Sequence, residues 1–315
     1  MSHSEQLAFV FPGQGSQKVG MLADITQGAE LVQSTFAEAS EVLGYDLWDL
    51  VQNGTQEQLN LTETTQPALL TCSVALWRVW LAEGGVKPGL MAGHSLGEWS
   101  ALVCAGVVDF KDAVRLVRSR GRYMQEAVPA GVGAMAAIIG LDDALVEKAC
   151  ADASNESEVV APVNYNSPGQ LVIAGKKEAV ERAMVLCKEA GAKRALPLPV
   201  SAPFHTSLMK PAAERLASEI EATEFKVPAI PVVHNVNAQP ESDPVKIKAL
   251  MVEQIYSAVR WVECVQYLAK QGVTTTVECG PGKVLSGLNK RIEKQLNTSN
   301  LETQTTFSEC LEALK

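Results

Sequence analysis

Gly93-His94-Ser95-Leu96-Gly97 places a serine between glycines two positions away on either side. That is the spacing of a nucleophile elbow, in which a sharp strand-to-helix turn lifts a hydroxyl into the open. Only glycine at the flanking positions lets the neighbouring elements pass so closely. The N-terminus of the following helix would aim unpaired N–H groups at developing negative charge. A serine hydroxyl also needs a base at neutral pH, and the chain offers His3, His94, His205 and His234. His3 lies in a terminus expected to fray. His94 adjoins the serine within the elbow, where its side chain should point away from the hydroxyl. His205 closes the proline-bearing run Val200–His205, where a cleft between domains would open. His234 ends the apolar run Pro231-Val232-Val233, a setting more typical of a satisfied core histidine. Spacing favours His205 and leaves His234 as the alternative.

Two further features carry chemistry alongside a plain structural reading. Gly13-Gln14-Gly15-Ser16-Gln17 resembles a dinucleotide loop, but the next glycine is Gly20 and no P-loop Lys-Ser/Thr follows. The segment reads equally as a tight turn and as a loop offering a backbone N–H, or the Gln14 amide, to an oxyanion. Arg120 shares one helical segment with Arg115, Arg118 and Arg122, which reads as a solvated face. Gly121 beside it signals close packing, and a guanidinium turned inward is a bidentate receptor for a carboxylate. The seven cysteines are odd in number, contain no CxxC pair and lie in apolar runs. With so few histidines no metal-ligand spacing can be built, and no metal is expected.

The elements that must position these groups follow an α/β pattern. Leu7–Phe11 is a buried strand stopped by Pro12-Gly13, and Gly89–Ala92 is the strand leading into the elbow. Helices are predicted over Ala29–Gly44, Pro67–Glu83, Leu96–Ala105 and Lys111–Val128, the second of them apolar all round and therefore internal. Between Gly131 and Leu198 the order becomes strand, helix, strand, strand, helix, strand, the split ferredoxin-like unit. The expected architecture is a larger α/β-hydrolase-like core, residues 1–128 and 199–315, with a mostly parallel sheet. A ferredoxin-like subdomain, residues 129–198, is inserted into it. Beyond it come a strand at Val232–Asn235, a helix near Lys246–Gln271, a strand at Thr274–Glu278, a basic helix from Val284 and a loosely held polar tail from Asn297.

Size and charge limit the function classes. A chain of 315 residues with 47% hydrophobic content can bury a large core plus a subdomain. Lys+Arg 27 against Asp+Glu 36 gives a net charge of −9, a sign that repels nucleic acid and anionic membranes. The start MSHSEQ has neither a basic n-region nor an apolar h-region, and no apolar run approaches a membrane span. A cytoplasmic protein is expected.

Taken together, the blocks resemble the malonyl-CoA:acyl carrier protein transacylases of bacterial fatty-acid synthesis. They are FPGQGSQ at 11–17, TQPALL at 65–70, GHSLGEWSAL at 93–102 and the Arg120-Gly121 pair, then NYNSPGQLVIAG at 164–175, PFH at 203–205 and GPGKVLSGLNKR at 280–291. The order of these seven blocks runs through nearly the whole chain. The resemblance implies Ser95 as nucleophile and His205, rather than His234, as general base. It further implies the backbone N–H groups of Gln14 and Leu96 as the oxyanion hole, Arg120 as partner of the malonyl carboxylate, and the Gln254 carbonyl as the group orienting the histidine. Phe204 resembles the malonyl-selective pattern, where methylmalonyl-selective relatives tend to carry serine; Trp99 stands where the family usually has tyrosine.

The implied substrates are malonyl-CoA and an acidic acyl carrier protein, with no metal or redox cofactor. On a chain of net charge −9 such a carrier needs a local basic patch. Lys283, Lys290 and Arg291, with Lys294, supply one on the C-terminal helix, and Lys193 with Arg194 a second. Three rival readings remain. A serine hydrolase would have no use for Arg120, a non-catalytic docking module would be indifferent to Ser95, and a polyketide acyltransferase would take another extender unit.

Overall fold

A computed structural model describes residues 4–315, so His3 lies outside the described residues. Among the described residues, nine strands form two sheets. Five build the larger one: β1 (Leu7–Phe11), β2 (Leu90–Gly93), β7 (Val232–Val233), β8 (Thr275–Glu278) and β9 (Asn297–Asn300). Their order is β7-β2-β1-β8-β9 and every pairing is parallel. β1 sits at the centre and is buried along its length, as expected of a parallel strand covered on both faces.

The two faces of β1 divide the core. Leu7, Phe9 and Phe11 belong to the larger apolar layer, with Trp77, Trp80 and Leu102. The rings of Trp77 and Trp80 both meet Phe9 edge-on at 5.3 Å. Ala8 and Val10 point into the opposite layer, with Trp261, Val265, Leu285 and Leu288. This alternation is the period of two that any strand imposes. Each fully buried Leu or Phe contributes about 2 kcal/mol.

The helix Thr62–Ala82 is buried on almost every side, matching its lack of a polar face. It starts five residues before the predicted position and carries Pro67 inside it. Gly121, on the helix Phe110–Glu126, faces its first turn: a Cβ there would lie 2.5 Å from the Thr62 carbonyl oxygen. Only a residue without a side chain allows that approach, and it carries the neighbouring Arg120 inward to 1% exposure.

The second sheet holds β3 (Gly133–Ile139), β4 (Val160–Ser167), β5 (Gln170–Lys176) and β6 (Arg194–Pro197) in the antiparallel order β4-β5-β3-β6. The helices Asp143–Ala153 and Lys177–Glu189 cover it, enclosing a separate small core of Ile138, Val146, Leu171, Ile173 and Val180. β4 is also tied to the larger unit. The Tyr165 N–H donates to the Val259 carbonyl at 3.0 Å, and the Val259 N–H to the Val163 carbonyl at 2.7 Å.

Among the differences from the sequence reading, two bear on the site and the sheet edge. The helix expected near Lys246–Gln271 is interrupted. Helical turns cover Pro244–Glu253, a 3-10 turn spans Gln254–Tyr256, and a new helix covers Trp261–Lys270. The break releases the Gln254 carbonyl from helical hydrogen bonding. The tail from Asn297 is not loose: β9 extends the sheet edge, and the helix Gln304–Ala313 buries Phe307, Cys310 and Leu311 against the core. Among the described residues no helix is long and apolar enough to cross a membrane.

Candidate active site

Ser95 sits where β2 meets the helix Leu96–Cys104, with φ 51° and ψ −109°. A non-glycine residue at positive φ is strained, and the surroundings hold it there. A Cβ on Gly93 would fall 2.0 Å from the Gly97 backbone, and one on Gly97 would fall 2.0 Å from the Phe11 carbonyl oxygen. Both glycines are therefore steric requirements of the turn. The Asn235 side chain clamps it from behind. Its amide nitrogen donates to the Gly93 carbonyl at 2.7 Å, and its oxygen accepts from the Ser95 N–H at 2.9 Å.

His205 reaches this serine across 110 residues of chain. Its Nε2 lies 2.7 Å from the Ser95 Oγ, and its Nδ1 lies 2.8 Å from the backbone carbonyl of Gln254. A carbonyl can only accept, so Nδ1 carries the proton and Nε2 is left to accept the serine's. Burial is the main reason that the imidazole pKa falls to about 3, and the nearby Arg120 charge adds to it. The ring is thus neutral at pH 7, the form a base requires.

Arg120 completes the cluster. Its guanidinium donates to Gln66 Oε1 at 2.8 Å, to Gln254 Oε1 at 2.9 Å and to Ser95 Oγ at 3.2 Å. Burial lowers its pKa to about 10, so it stays charged at neutral pH. Its Nε has no partner among the described residues. A buried cation whose contacts are all neutral is poised for an anion.

Ser95, His205, Arg120 and Gln66 border one cavity of about 470 Å³, whose wall also includes Gln14, Leu96, His94, Met124 and Phe204. Leu96 is the first residue of its helix, so its N–H has no partner within the helix. His94 lines the same cavity, but its Nε2 pairs with Asn166 Oδ1 of β4 at 2.7 Å, and burial lowers its pKa. His234 lies apart from the cavity wall. It is fully buried, with Nδ1 2.5 Å from the Glu98 carboxylate.

Of the sequence-derived candidates, Ser95, His205, Arg120 and Gln254 meet directly, while Gln14 and Leu96 share their cavity. Lys283, Lys290 and Arg291 are exposed, on and beside the helix Val284–Ile292. Arg291 donates to Gln170 Oε1 of the smaller sheet, and Lys290 to the Leu296 carbonyl. Sequence reasoning missed Asn235, Gln66 and Glu98, which hold Ser95, Arg120 and Gln254 from behind. Nothing local in the sequence marks them as polar groups of one site. Among the described residues no three His, Cys, Asp or Glu side chains are grouped to hold a metal ion.

Comparison with known proteins agrees over the full length. The acyl transferase domain model matches residues 8–306. The malonyl CoA-acyl carrier protein transacylase of Escherichia coli (strain K12) is 61% identical over 307 residues, covering 98% of this chain and 99% of the relative. That of Bacillus subtilis (strain 168) is 46% identical over 310 residues, 98% of each. Among solved structures, an acyl carrier protein S-malonyltransferase from Vibrio cholerae superposes with a TM-score of 0.94 at 62% identity, over 96% of this chain and 99% of that one. A malonyl-transacylase solved in complex with a type II PKS acyl-carrier protein gives 0.96 at 56%, over 98% and 99%.

Proposed function

The chain belongs to the acyl transferase domain family, and from that premise we propose that it moves malonyl groups from coenzyme A to the phosphopantetheine thiol of an acyl carrier protein, for fatty-acid synthesis, through an ester on Ser95. The observation that carries the reading is the wholly buried Arg120 guanidinium, 3.2 Å from the hydroxyl that His205 activates. An acyl group with a free carboxylate at its far end suits that spacing, and an uncharged acyl group leaves the cation unpaired.

The chemistry runs in two halves. His205 Nε2 takes the Ser95 proton as Oγ bonds to the thioester carbon, and the carbonyl becomes an oxyanion facing the Gln14 and Leu96 N–H groups. Each such donor is worth about 3 kcal/mol in the transition state. The C–S bond then breaks, and the imidazolium returns the proton to the coenzyme A thiolate. In the second half the carrier thiol gives its proton to His205 and its sulfur attacks the malonyl ester; Ser95 Oγ leaves and takes the proton back. A backbone carbonyl behind the imidazole, in place of a carboxylate, is sufficient because a thiolate is the leaving group of the first half and an easily deprotonated thiol the nucleophile of the second. No step needs a metal or redox cofactor.

The acidic carrier would dock on the exposed cations Lys283, Lys290 and Arg291, which reverse the net charge locally. The decisive test mixes the protein with malonyl-CoA and measures intact mass. The expected product carries one malonyl group on Ser95, stable until holo carrier protein is added and absent in Ser95→Ala. Rapid release of free malonate with no carrier present would instead favour a hydrolase.

A further inference from the structure

Glu98 lies one helical turn beyond the nucleophile, fully buried and outside the reacting cavity. Three donors converge on its carboxylate. Oε1 accepts from His234 Nδ1 at 2.5 Å, while Oε2 accepts from Gln254 Nε2 at 2.8 Å and from the Asn235 N–H at 3.2 Å. Burying a carboxylate is expensive unless its bonds are all made, so its presence here calls for a reason. Capping the helix is not one, since the carboxylate bonds to no N–H of its own first turn.

The Gln254 amide supplies the reason. Its nitrogen donates to Glu98 and, at 2.9 Å, to the Ser95 carbonyl, while its oxygen accepts from Arg120 at 2.9 Å. Were the amide to flip, its NH₂ would oppose the guanidinium and its oxygen would face the Glu98 carboxylate and the Ser95 carbonyl. Both contacts would then be repulsive. The charged acceptor therefore fixes which end of the amide meets Arg120. His234 and Asn235 in turn fix the acceptor.

We propose that Glu98 is a positioning residue for acyl-group selection: through the Gln254 amide it aims the Arg120 guanidinium at the carboxylate of the incoming acyl chain. The proposal rests on the reading of Arg120 as carboxylate receptor. It separates reach from charge. Glu98→Asp keeps the charge and withdraws the oxygen by about one C–C bond. Glu98→Gln keeps the reach: its oxygen stays on Gln254 and its NH₂ meets His234, which accepts after moving its proton to Nε2.

The experiment measures single-turnover acylation of Ser95 by malonyl-CoA and by acetyl-CoA on the same preparation, and takes the ratio of the two rates. Partial unfolding of a variant does not alter that ratio. Glu98→Asp is expected to lower it by about tenfold, the worth of one hydrogen bond between charged and polar groups, and Glu98→Gln by much less. In a Gln254→Ala background, which keeps the backbone carbonyl behind His205, Glu98→Asp should have no further effect. A larger loss in Glu98→Gln than in Glu98→Asp, or the same loss with Gln254 already removed, overturns the proposal. So does an unchanged ratio in Gln254→Ala alone, whether or not the Glu98 variants fold. Arg120→Ala runs in parallel: if it leaves the ratio intact, the receptor reading itself fails, whereas collapse there with no effect at Gln254 removes only the role of Glu98.

Discussion

An ordinary imidazole titrates near pH 6.5, and a serine enzyme that relies on one loses activity as the medium turns mildly acidic. His205 should behave differently. Burial first, and the Arg120 charge second, depress its pKa to about 3. At pH 5 an unperturbed histidine would be about 3% neutral, an activity loss of about thirtyfold from pH 8. A group titrating near 3 remains about 99% neutral at the same pH. The assay is the pre-steady-state rate of malonyl-Ser95 formation between pH 5 and 8 with malonyl-CoA below saturation, because kcat/KM reports the free enzyme. Circular dichroism confirms the fold at each point. The expected profile is flat. The limb in kcat should lie at higher pH than that in kcat/KM, since a bound carboxylate neutralises Arg120 and lets the imidazole gain basicity when it is needed. Arg120→Ala, measured with acetyl-CoA, should keep most of the flatness because burial is the larger cause. A thirtyfold decline by pH 5 with the fold intact would refute the assignment of a buried, charge-flanked base.

The same depression couples to stability. The unfolded histidine binds a proton below pH 6.5 and the folded one does not, so stability is complete above pH 6.5 and is lost as pH falls toward 3, at up to about 1.4 kcal/mol per pH unit. His205→Gln should flatten that part of the urea-midpoint profile. Arg120→Ala should reduce kcat/KM for malonyl-CoA by about 10²-fold or more, in line with breaking a desolvated charge pair, and affect acetyl-CoA far less. In Gly97→Ala the new Cβ meets the Phe11 carbonyl at 2.0 Å, so the backbone must part by about 1 Å and kcat should fall by about 10²-fold. Lys290→Glu with Arg291→Glu should slow transfer to the carrier protein, more so at low salt, while acylation by malonyl-CoA proceeds normally. Equal loss in both half-reactions would place those cations elsewhere in the mechanism.

The elbow could be read from sequence because its constraint is local: two glycines that steric contact demands, between an apolar strand and an apolar helix. The smaller antiparallel sheet was legible in the same way, from alternating strands and helices with short turns. Gln254 was harder. A run of helical periodicity from Lys246 to Gln271 hides a break whose effect is tertiary, since it leaves the Gln254 carbonyl free to point at His205. β9 escaped because Asn297–Asn300 is polar and gains its strand conformation only from pairing with β8. The helix after it did leave a signal, with Phe307, Cys310 and Leu311 at helical spacing. Glu98, Asn235 and Gln66 left none, because a buried polar group is defined by partners more than 50 residues away.

The paired hydrogen bonds between Val259 and the strand Val160–Ser167 join two parts of the molecule that sequence assigns to different units. Val259 follows Gln254 by only five residues, so the segment that presents a carbonyl to His205 is hydrogen-bonded to the strand whose Asn164 lines the same cavity as Ser95. The amide protons of Tyr165 and Val259 are therefore expected to exchange with solvent at a common rate.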